Sequence, residues 1–297
     1  MIELLDLKTV NSLSPSVILK RDNTGYEFII IKHELFDAAF TLHGAHLIHF
    51  QVKQQEPLIW LSKSAIYNSE KAIRGGVPVC WPWFGAADPS LGENLPSHGF
   101  ARTSTWDVSK ISELSEGIEI EFKLLNNDET QKLWPFEFEL TLKATLTNQI
   151  KLELISKNTG NKPFSYRAAL HTYLNISAPE SCLITGLNTQ YNNSLKGGKT
   201  ETGDSTLQID QAIDAIYKKS PYSITLSDKK YQRVVMVENT GNDSEVLWTP
   251  WVQGAKDFKD MPDDGYQTMF CIEAAITDKA GVEVQPNTCN TLTTIIS

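Results

Sequence analysis

Residues 136–154 read Phe136-Glu-Phe138-Glu-Leu140-Thr-Leu142-Lys-Ala144-Thr-Leu146, then Thr147-Asn148-Gln149, then Ile150-Lys-Leu152-Glu-Leu154. Apolar and polar residues alternate with a period of two on both sides of the short polar break, which is typical of half-buried β-strands. The spacing predicts two neighbouring antiparallel strands joined by a tight turn, with one face in the core and the other in water.

Strand-like patterns recur along the rest of the chain, whereas helical periodicity is scarce. The further predicted strands are residues 16–20, 26–31, 37–42, 46–52, 118–124, 165–174, 233–237, 245–248, 268–275 and 291–296. Residues 127–133 and 208–217 are each predicted to hold a turn or a short helix. Many strands with few helices favour an all-β fold, a large antiparallel sandwich.

The composition of the chain is that of an ordinary globular protein, with 297 residues, 41% hydrophobic and 21% charged. We see no internal repeat or long linker, so a single domain over residues 1–297 is predicted. The net charge of -9 argues against a general nucleic-acid binder. The first residues lack signal-peptide features, and no run approaches the roughly 18 to 20 apolar residues of a membrane span, so we expect a cytoplasmic location and no membrane partner.

Cysteines and histidines give little support for a metal site. Cys80, Cys182, Cys271 and Cys289 form no Cys-x-x-Cys pair and are expected to be reduced. On one strand His43 and His49 would point away from His46, and no acid or cysteine lies among them or near His98 at a ligand spacing. Phosphate-binding, dinucleotide and nucleophile-elbow motifs are missing from the sequence, so we expect no metal and no cofactor.

The segment 72–106 combines Arg74 and Arg102 with several Gly and Pro residues and with the aromatic residues Trp81 and Trp83. Gly and Pro disfavour regular structure, so this segment is predicted to form an irregular, shaped surface. Guanidinium groups suit carboxylate or phosphate, and aromatic faces suit a sugar. The alternative is a buried connector with arginines paired to acids, and the two tryptophans could line a pocket or support the arginines.

Four polar residues interrupt apolar, strand-like settings. Glu273 lies in a strongly apolar run, where a carboxylate is costly to bury unless it is paired or faces a cleft, and where burial raises its pKa toward that of a useful base. The alternative for Glu273 is the polar face of an edge strand. The alternatives for the other three are a hydrogen-bonded core histidine for His171, a helix cap for Asp214 and a solvated loop residue for Lys256. His171 and Glu273 beside a cationic loop suit proton transfer on a polar sugar.

Several motifs occur in a fixed order between about residue 44 and Glu273. They are Ala-Ile-Arg74-Gly-Gly-Val-Pro-Val-Cys-Trp-Pro-Trp-Phe-Gly, His98-Gly-Phe-Ala-Arg102, Leu170-His171-Thr-Tyr, Asp214-Ala-Ile-Tyr217, Trp248-Thr-Pro-Trp251 with Lys256, and Asp263-Asp-Gly-Tyr266 leading into Cys271-Ile-Glu273. With these motifs the chain resembles the aldose 1-epimerase (galactose mutarotase) superfamily, and most closely its hexose-6-phosphate mutarotase branch.

The resemblance implies a galactose mutarotase-like β-supersandwich with few short helices. It implies acid- and base-assisted interconversion of the α and β anomers of an aldohexose 6-phosphate, with glucose 6-phosphate as the first choice and with no cofactor. The expected site residues are the general acid His171, the general base Glu273 and the substrate-binding residues Arg74, Arg102, Asp214, His98 and Lys256.

Some alternatives stay open. The family often has Gln at the position of Ser97 and Arg at the position of Ala215, so the fine substrate preference is uncertain at this stage. A non-catalytic carbohydrate-binding protein and a mutarotase of unphosphorylated aldoses are the competing functions. The expected partner is a small sugar phosphate, and the chain is expected to be a monomer or a homodimer.

Overall fold

Strands dominate the computed structural model, which describes residues 6–297. The first twelve strands are β1 (Lys8–Ser12), β2 (Val17–Arg21), β3 (Glu27–Lys32), β4 (Phe36–Thr41), β5 (His46–Val52), β6 (Val79–Cys80), β7 (Asp107–Leu114), β8 (Gly117–Leu125), β9 (Phe138–Leu146), β10 (Ile150–Asn158), β11 (Phe164–Tyr166) and β12 (Ala168–Leu170). The next twelve are β13 (Tyr173–Asn175), β14 (Cys182–Thr185), β15 (Gln190–Asn193), β16 (Lys199–Thr202), β17 (Thr206–Gln208), β18 (Ile213–Lys218), β19 (Ile224–Asp228), β20 (Arg233–Thr240), β21 (Ser244–Thr249), β22 (Met269–Ile276), β23 (Val282–Val284) and β24 (Cys289–Ile296).

Helices are few and short. Over residues 6–297 the α-helices are α1 (Asp128–Leu133) and α2 (Trp251–Asp257), and the 3₁₀ turns are Pro89–Leu91, Ala101–Thr103, Pro179–Ser181, Ser194–Lys196 and Gly265–Thr268. Helix α1 begins where the sequence predicts, because the Asn127 side chain accepts hydrogen bonds from the backbone N–H groups of Glu129 and Thr130. Among the described helices, none has the length and apolar character needed to span a membrane.

The strands form three larger sheets and one small one, and all paired strands are antiparallel. A five-stranded sheet has the order β1-β2-β3-β4-β5, and a nine-stranded sheet has the order β17-β14-β19-β20-β24-β10-β9-β8-β7. The third sheet has the order β16-β15-β18-β21-β22-β12-β6, with β13 also paired to β22, and β11 pairs with β23. This arrangement confirms the predicted all-β, antiparallel fold with few short helices.

The hairpin predicted from residues 136–154 is confirmed as β9 and β10. Their register runs from Leu146 opposite Ile150 to Phe138 opposite Asn158. Leu142 and Leu152 are fully buried, as the period of two requires. Burial of such a side chain contributes about 1.5–3 kcal/mol relative to full exposure, so the alternating residues are the main reason why this hairpin holds its register.

The main hydrophobic core joins the hairpin to one face of the sheet that contains β22. Leu142 and Leu152 belong to the same buried cluster as Tyr217, Leu170 and Ile272. Because side chains alternate along a strand, the residues next to these in β12, β18 and β22 point to the opposite face of that sheet. That second face carries the candidate site.

Two expectations about local structure are wrong. Residues 208–217 hold no described helix; instead β18 (Ile213–Lys218) pairs along its length with β21. Ile213 and Tyr217 are buried in alternation, so pairing with β21 and packing into the core decide the conformation, and Asp214 does not cap a helix. Lys256 lies in helix α2 rather than in a loop.

The predicted strand 165–174 is divided into β11, β12 and β13. The first break is at Arg167, whose backbone N–H donates to the Pro82 carbonyl at 2.9 Å. The second break contains His171, whose backbone N–H donates to the Pro78 carbonyl at 3.1 Å. The chain therefore meets the segment 72–106 at both interruptions.

Candidate active site

His171 and Glu273 lie opposite each other on neighbouring strands. Leu170 is paired with Ala274 and Tyr173 with Cys271, so the intervening His171 faces Glu273. The distance from His171 Nδ1 to Glu273 Oε1 is 3.3 Å. Strand β22 has β21 on its other side, so Glu273 is not on an edge strand. The alternative of a polar residue on an edge strand is therefore wrong.

The Glu273 carboxyl group is deeply buried, with 1% of its side chain exposed. Burial, and after it the nearby charge of Asp214, raises the pKa of Glu273 well above its usual range, and Arg102 acts in the opposite direction. Among the described residues, Glu273 Oε2 has no hydrogen-bond partner. A buried oxygen of this kind is available to a ligand.

The His171 ring is held by stacking. It lies against the Tyr173 ring with centroids 4.9 Å apart and an interplanar angle of 9°. Tyr173 stacks in turn on Trp60 with centroids 5.8 Å apart. Burial, followed by His98 and the guanidinium groups of Arg102 and Arg74, lowers the pKa of His171 well below its usual range. Burial thus favours a neutral imidazole at His171 and a protonated carboxyl group at Glu273.

Asp214 lies on the same face of the sheet as this pair. It is opposite Trp248 in β21, and Trp248 is opposite Cys271 in β22. Residues directly opposite in antiparallel strands share a face, and Cys271 and Glu273 are two residues apart, so all four side chains point to one side. Asp214 is half-buried.

A cationic cavity of about 270 Å³ is lined largely by the segment 72–106 and meets the pair at Tyr173, whose ring stacks on His171. Arg74, Arg102 and Lys71 supply its positive charge, and Glu70 and Asp260 offset part of that charge. Tyr173 therefore connects the cavity wall to the His171 ring. The segment contributes irregular backbone to a cavity, as predicted, while Arg74 is paired with an acid, Asp260, as the buried-connector alternative expected.

Arg74 is fixed from three directions. Its Nε donates to Asp260 Oδ1 at 3.1 Å, and its Nη1 donates to the Tyr173 hydroxyl at 3.2 Å. Its guanidinium carbon lies 4.1 Å from the centroid of the Phe258 ring, a cation–π contact. The guanidinium group is therefore preorganised, with its charge partly balanced by Asp260.

Arg102 has fewer protein contacts. Its Nη2 donates to the Ser97 carbonyl at 2.8 Å, and within residues 6–297 this is its one side-chain hydrogen bond. Its remaining N–H groups are free to bind an anion in the cavity. The Ser97 hydroxyl donates to the Gly85 carbonyl at 3.3 Å.

His98 lies near both Arg102 and His171. Its ring centroid is 6.1 Å from that of His171, and its Nδ1 accepts a hydrogen bond from the Gly85 backbone N–H at 3.2 Å. Burial, with Arg102 and then Arg74, lowers the pKa of His98 to about 4, so this ring is neutral near pH 7. The next residue has to be glycine, because a Cβ at Gly99 would lie 1.9 Å from the Trp81 carbonyl oxygen.

The N-terminal histidines anchor the wall of the cavity. His46 Nε2 donates to the Gly75 carbonyl at 2.7 Å, and His43 Nε2 donates to the Lys71 carbonyl at 3.2 Å. Both bonds tie the cavity wall to the five-stranded sheet, on either side of Arg74.

Trp81 and Trp83 support this wall from behind. Trp81 is fully buried, with its ring 4.6 Å from that of Phe138, and Trp83 donates its Nε1–H to the Pro96 carbonyl at 2.8 Å. Neither tryptophan lines the cationic cavity. Lys256 is exposed on α2 and also does not line it, so its role in binding stays a prediction.

Three residues of the site were missed by the sequence reasoning: Tyr173, Asp260 and Lys71. Tyr173 had a usable signal, because it follows His171 by two residues and a strand places such residues on one face. Asp260 and Lys71 lie in irregular segments, where sequence gives no rule for side-chain direction. All four cysteines are free, and Cys271 is buried next to Glu273.

Comparison with known proteins agrees with this geometry. The sequence model of the family described as aldose 1-epimerase matches residues 27–297. The chain belongs to the aldose 1-epimerase family. The resemblance read from the motifs is thereby confirmed.

Relatives within the aldose 1-epimerase family match over most of their length. An Escherichia coli protein, provisionally named glucose-6-phosphate 1-epimerase, is 31% identical over 270 residues, covering 91% of this chain and 89% of its own. A Cenchrus ciliaris protein with the same provisional name is 32% identical over 279 residues, covering 90% and 83%. The crystal structure of a provisionally named mutarotase from Salmonella typhimurium has a TM-score of 0.91 at 28% identity, covering 98% of this chain and 96% of that one.

Proposed function

We propose that this protein interconverts the α and β anomers of an aldohexose 6-phosphate, with glucose 6-phosphate as the preferred sugar. The observation that carries the proposal is the pairing of His171 with Glu273, 3.3 Å apart, beside a cavity lined by Arg74 and Arg102. An acid–base pair suits the opening of a hemiacetal ring, and two guanidinium groups suit a phosphate. The names of the relatives support the same substrate class.

Ring opening requires one proton to be removed and one to be supplied. The Glu273 carboxylate takes the proton of the O1 hydroxyl group, and protonated His171 gives a proton to the ring oxygen. The bond between C1 and the ring oxygen breaks with its electron pair moving to that oxygen, while O1 forms a double bond to C1. Rotation about the C1–C2 bond exposes the other face of the aldehyde, and the reverse proton transfers close the ring as the opposite anomer.

Burial of the pair suits this step. Ring opening converts a carboxylate and an imidazolium into a carboxylic acid and a neutral imidazole, the forms that burial favours for Glu273 and His171. Both states hold the same number of protons, so the pair needs no exchange with solvent between opening and closure. Proton transfer therefore becomes more favourable as the ring opens, which lowers the barrier between the two anomers.

A bound phosphate also helps to form the starting state. Arg102 and Arg74 follow burial and His98 among the causes that lower the pKa of His171. A phosphate monoester carries about −1.5 to −2 charge at pH 7 and offsets the positive charge of both arginines. His171 is then easier to protonate, so binding of the anionic substrate favours the acid form that ring opening uses.

Exchange NMR of anomeric protons tests the proposal with a panel of free and 6-phosphorylated aldohexoses. We expect acceleration to be greatest with glucose 6-phosphate, and roughly 10- to 100-fold weaker with glucose, because charge-assisted hydrogen bonds contribute about 1.5–3 kcal/mol. A preference for the free sugar would indicate a mutarotase of unphosphorylated aldoses. Binding without acceleration would indicate a carbohydrate-binding protein.

Replacing Arg102 with Ala should lower kcat/KM for glucose 6-phosphate by roughly 10- to 100-fold, because a charge-assisted contact to the phosphate is lost. Glucose lacks the phosphate, so its kcat/KM should change by less than about threefold. Arg167→Ala is the matched control: Arg167 donates to the Ala86 carbonyl at 2.9 Å, much as Arg102 does to Ser97, but lines a different cavity. Equal losses on both sugars would contradict a phosphate role for Arg102.

Tyr173→Phe should raise KM for glucose 6-phosphate by roughly 3- to 10-fold and leave kcat less affected. The ring still stacks on His171, whereas the hydrogen bond from Arg74 is lost. Tyr191→Phe is the control, since Tyr191 also stacks on a ring, that of Tyr217, and donates to Glu201 at 3.0 Å outside the site. A fall in kcat with unchanged KM would show that the hydroxyl group does not act through Arg74.

A further inference from the structure

Three potential metal ligands converge at the catalytic pair. One ligand atom each from His171, Cys271 and Glu273 lies within 4.8 Å of the other two. The arrangement follows from the sheet, because Cys271 and Glu273 are two residues apart in β22 and His171 is opposite Glu273. The sulfur and oxygen donors lie on strand β22, and the nitrogen donor lies in the two-residue break between β12 and β13, both of which pair with β22.

One of these groups has a buried atom without a partner. Glu273 Oε2 has no hydrogen-bond partner among residues 6–297, and His171 Nδ1 has the ion-pair contact of 3.3 Å to Glu273 Oε1 but no hydrogen bond of good geometry. Buried polar atoms in native proteins are nearly always satisfied, so an unsatisfied carboxyl oxygen beside an imidazole and a thiol points to a ligand site. The Cys271 thiol is fully buried, and the proposed proton transfers do not use it.

This donor set is the kind that Zn²⁺ prefers. Zinc binds thiolate at about 2.3 Å, imidazole nitrogen at about 2.0–2.1 Å and carboxylate oxygen at about 2.0–2.2 Å. The three ligand atoms lie within 4.8 Å of one another, so they would have to close around a shared ion to reach these distances. A thiolate and a carboxylate balance the two positive charges of the ion, and thiolate disfavours Mg²⁺ and Ca²⁺.

We propose that His171, Cys271 and Glu273 form a Zn²⁺ site that inhibits the protein by occupying the catalytic pair. The Cys271 thiol proton, and the Glu273 proton where one is held, pass to solvent as the ion binds. The fourth coordination position stays open to water or to a sugar hydroxyl group. Metal binding is measured directly, so the result of that measurement does not depend on which sugar the protein acts on.

The direct test is titration of the full chain with Co²⁺ as a spectroscopic substitute for zinc, followed by Zn²⁺ competition. We expect a thiolate-to-cobalt charge-transfer band that Zn²⁺ abolishes and Mg²⁺ does not. Cys271→Ser should remove the band and weaken Zn²⁺ binding by at least about 100-fold, since even residues that only orient a ligand cost 10–100-fold. Cys289→Ser should keep the band, because Cys289 is exposed on β24.

Exchange NMR then tests inhibition. Zn²⁺ should be a competitive inhibitor with respect to glucose 6-phosphate. The Cys271→Ser variant, freed of metal by a chelator, should interconvert the anomers and should resist inhibition by added Zn²⁺. If Cys271→Ser fails to fold, Cys271→Ala and the wild-type cobalt spectrum decide the question. Absence of a thiolate-to-cobalt band in the wild-type protein would overturn the proposal, as would equal zinc sensitivity of the wild type and the Cys271 variant.

Discussion

Replacing Glu273 with Gln should slow anomer exchange by roughly 10²- to 10⁴-fold, the contribution of a positioned general base. The amide has nearly the shape of the carboxyl group but cannot take the O1 proton. Binding of glucose 6-phosphate should change by less than about threefold, because the phosphate contacts lie elsewhere. Exchange NMR gives the rate, and titration calorimetry gives the affinity.

Glu245 offers a matched control for this substitution. It is also a buried carboxylate, 3% exposed, on the neighbouring strand β21. It is opposite Ala274, on the other face of the sheet, and accepts hydrogen bonds from Ser220 and Asn242. Glu245→Gln should lower the free energy of unfolding by about 1–3 kcal/mol and preserve exchange. An unchanged rate in Glu273→Gln would rule out Glu273 as the base.

Replacing His171 with Asn should reduce exchange by a similar 10²- to 10⁴-fold, because the ring oxygen loses its proton donor. The double variant with Glu273→Gln should be little slower than either single variant, since the two residues act as one unit and their effects are not additive. Thermal unfolding of each variant separates lost chemistry from lost folding.

His33→Asn controls for the loss of a stacked imidazole. His33 stacks on Phe36 with ring centroids 4.8 Å apart and lies outside the site, so exchange should be preserved. Multiplicative effects of His171→Asn and Glu273→Gln in the double variant would show that the two residues act independently, against the proposed mechanism.

Local alternation predicted most strands well. The hairpin β9–β10 occurs where its clear period of two places it, and the strand β5 occurs where its apolar run places it. The turn or short helix predicted for residues 208–217 is wrong, because the conformation of β18 is set by pairing with β21, a partner remote in sequence. Propensity describes a segment by itself, whereas a strand is stabilised by its neighbours.

The sequence singles out candidate residues, but it does not show which of them contact one another. His171, Glu273 and Asp214 interrupt apolar runs, and that interruption is visible in the sequence. Their convergence depends on the order β18-β21-β22-β12, which no local pattern encodes. The same holds for Arg74, because its partners Asp260 and Tyr173 come from distant segments. The single-domain organisation, the cytoplasmic location and the monomer or homodimer state stay predictions.

Alternate residues of strand β22 are under two different constraints. Phe270, Ile272 and Ala274 belong to the main core, whereas Cys271 and Glu273 face the site. Substitutions at the first set are constrained by folding and those at Glu273 by the proposed chemistry, although the two sets are interleaved. Insertion or deletion of one residue in β22 would turn the core residues toward the site and the site residues toward the core. Folding and function would then be lost together. The length of this strand should therefore be fixed far more strictly in evolution than its individual residues.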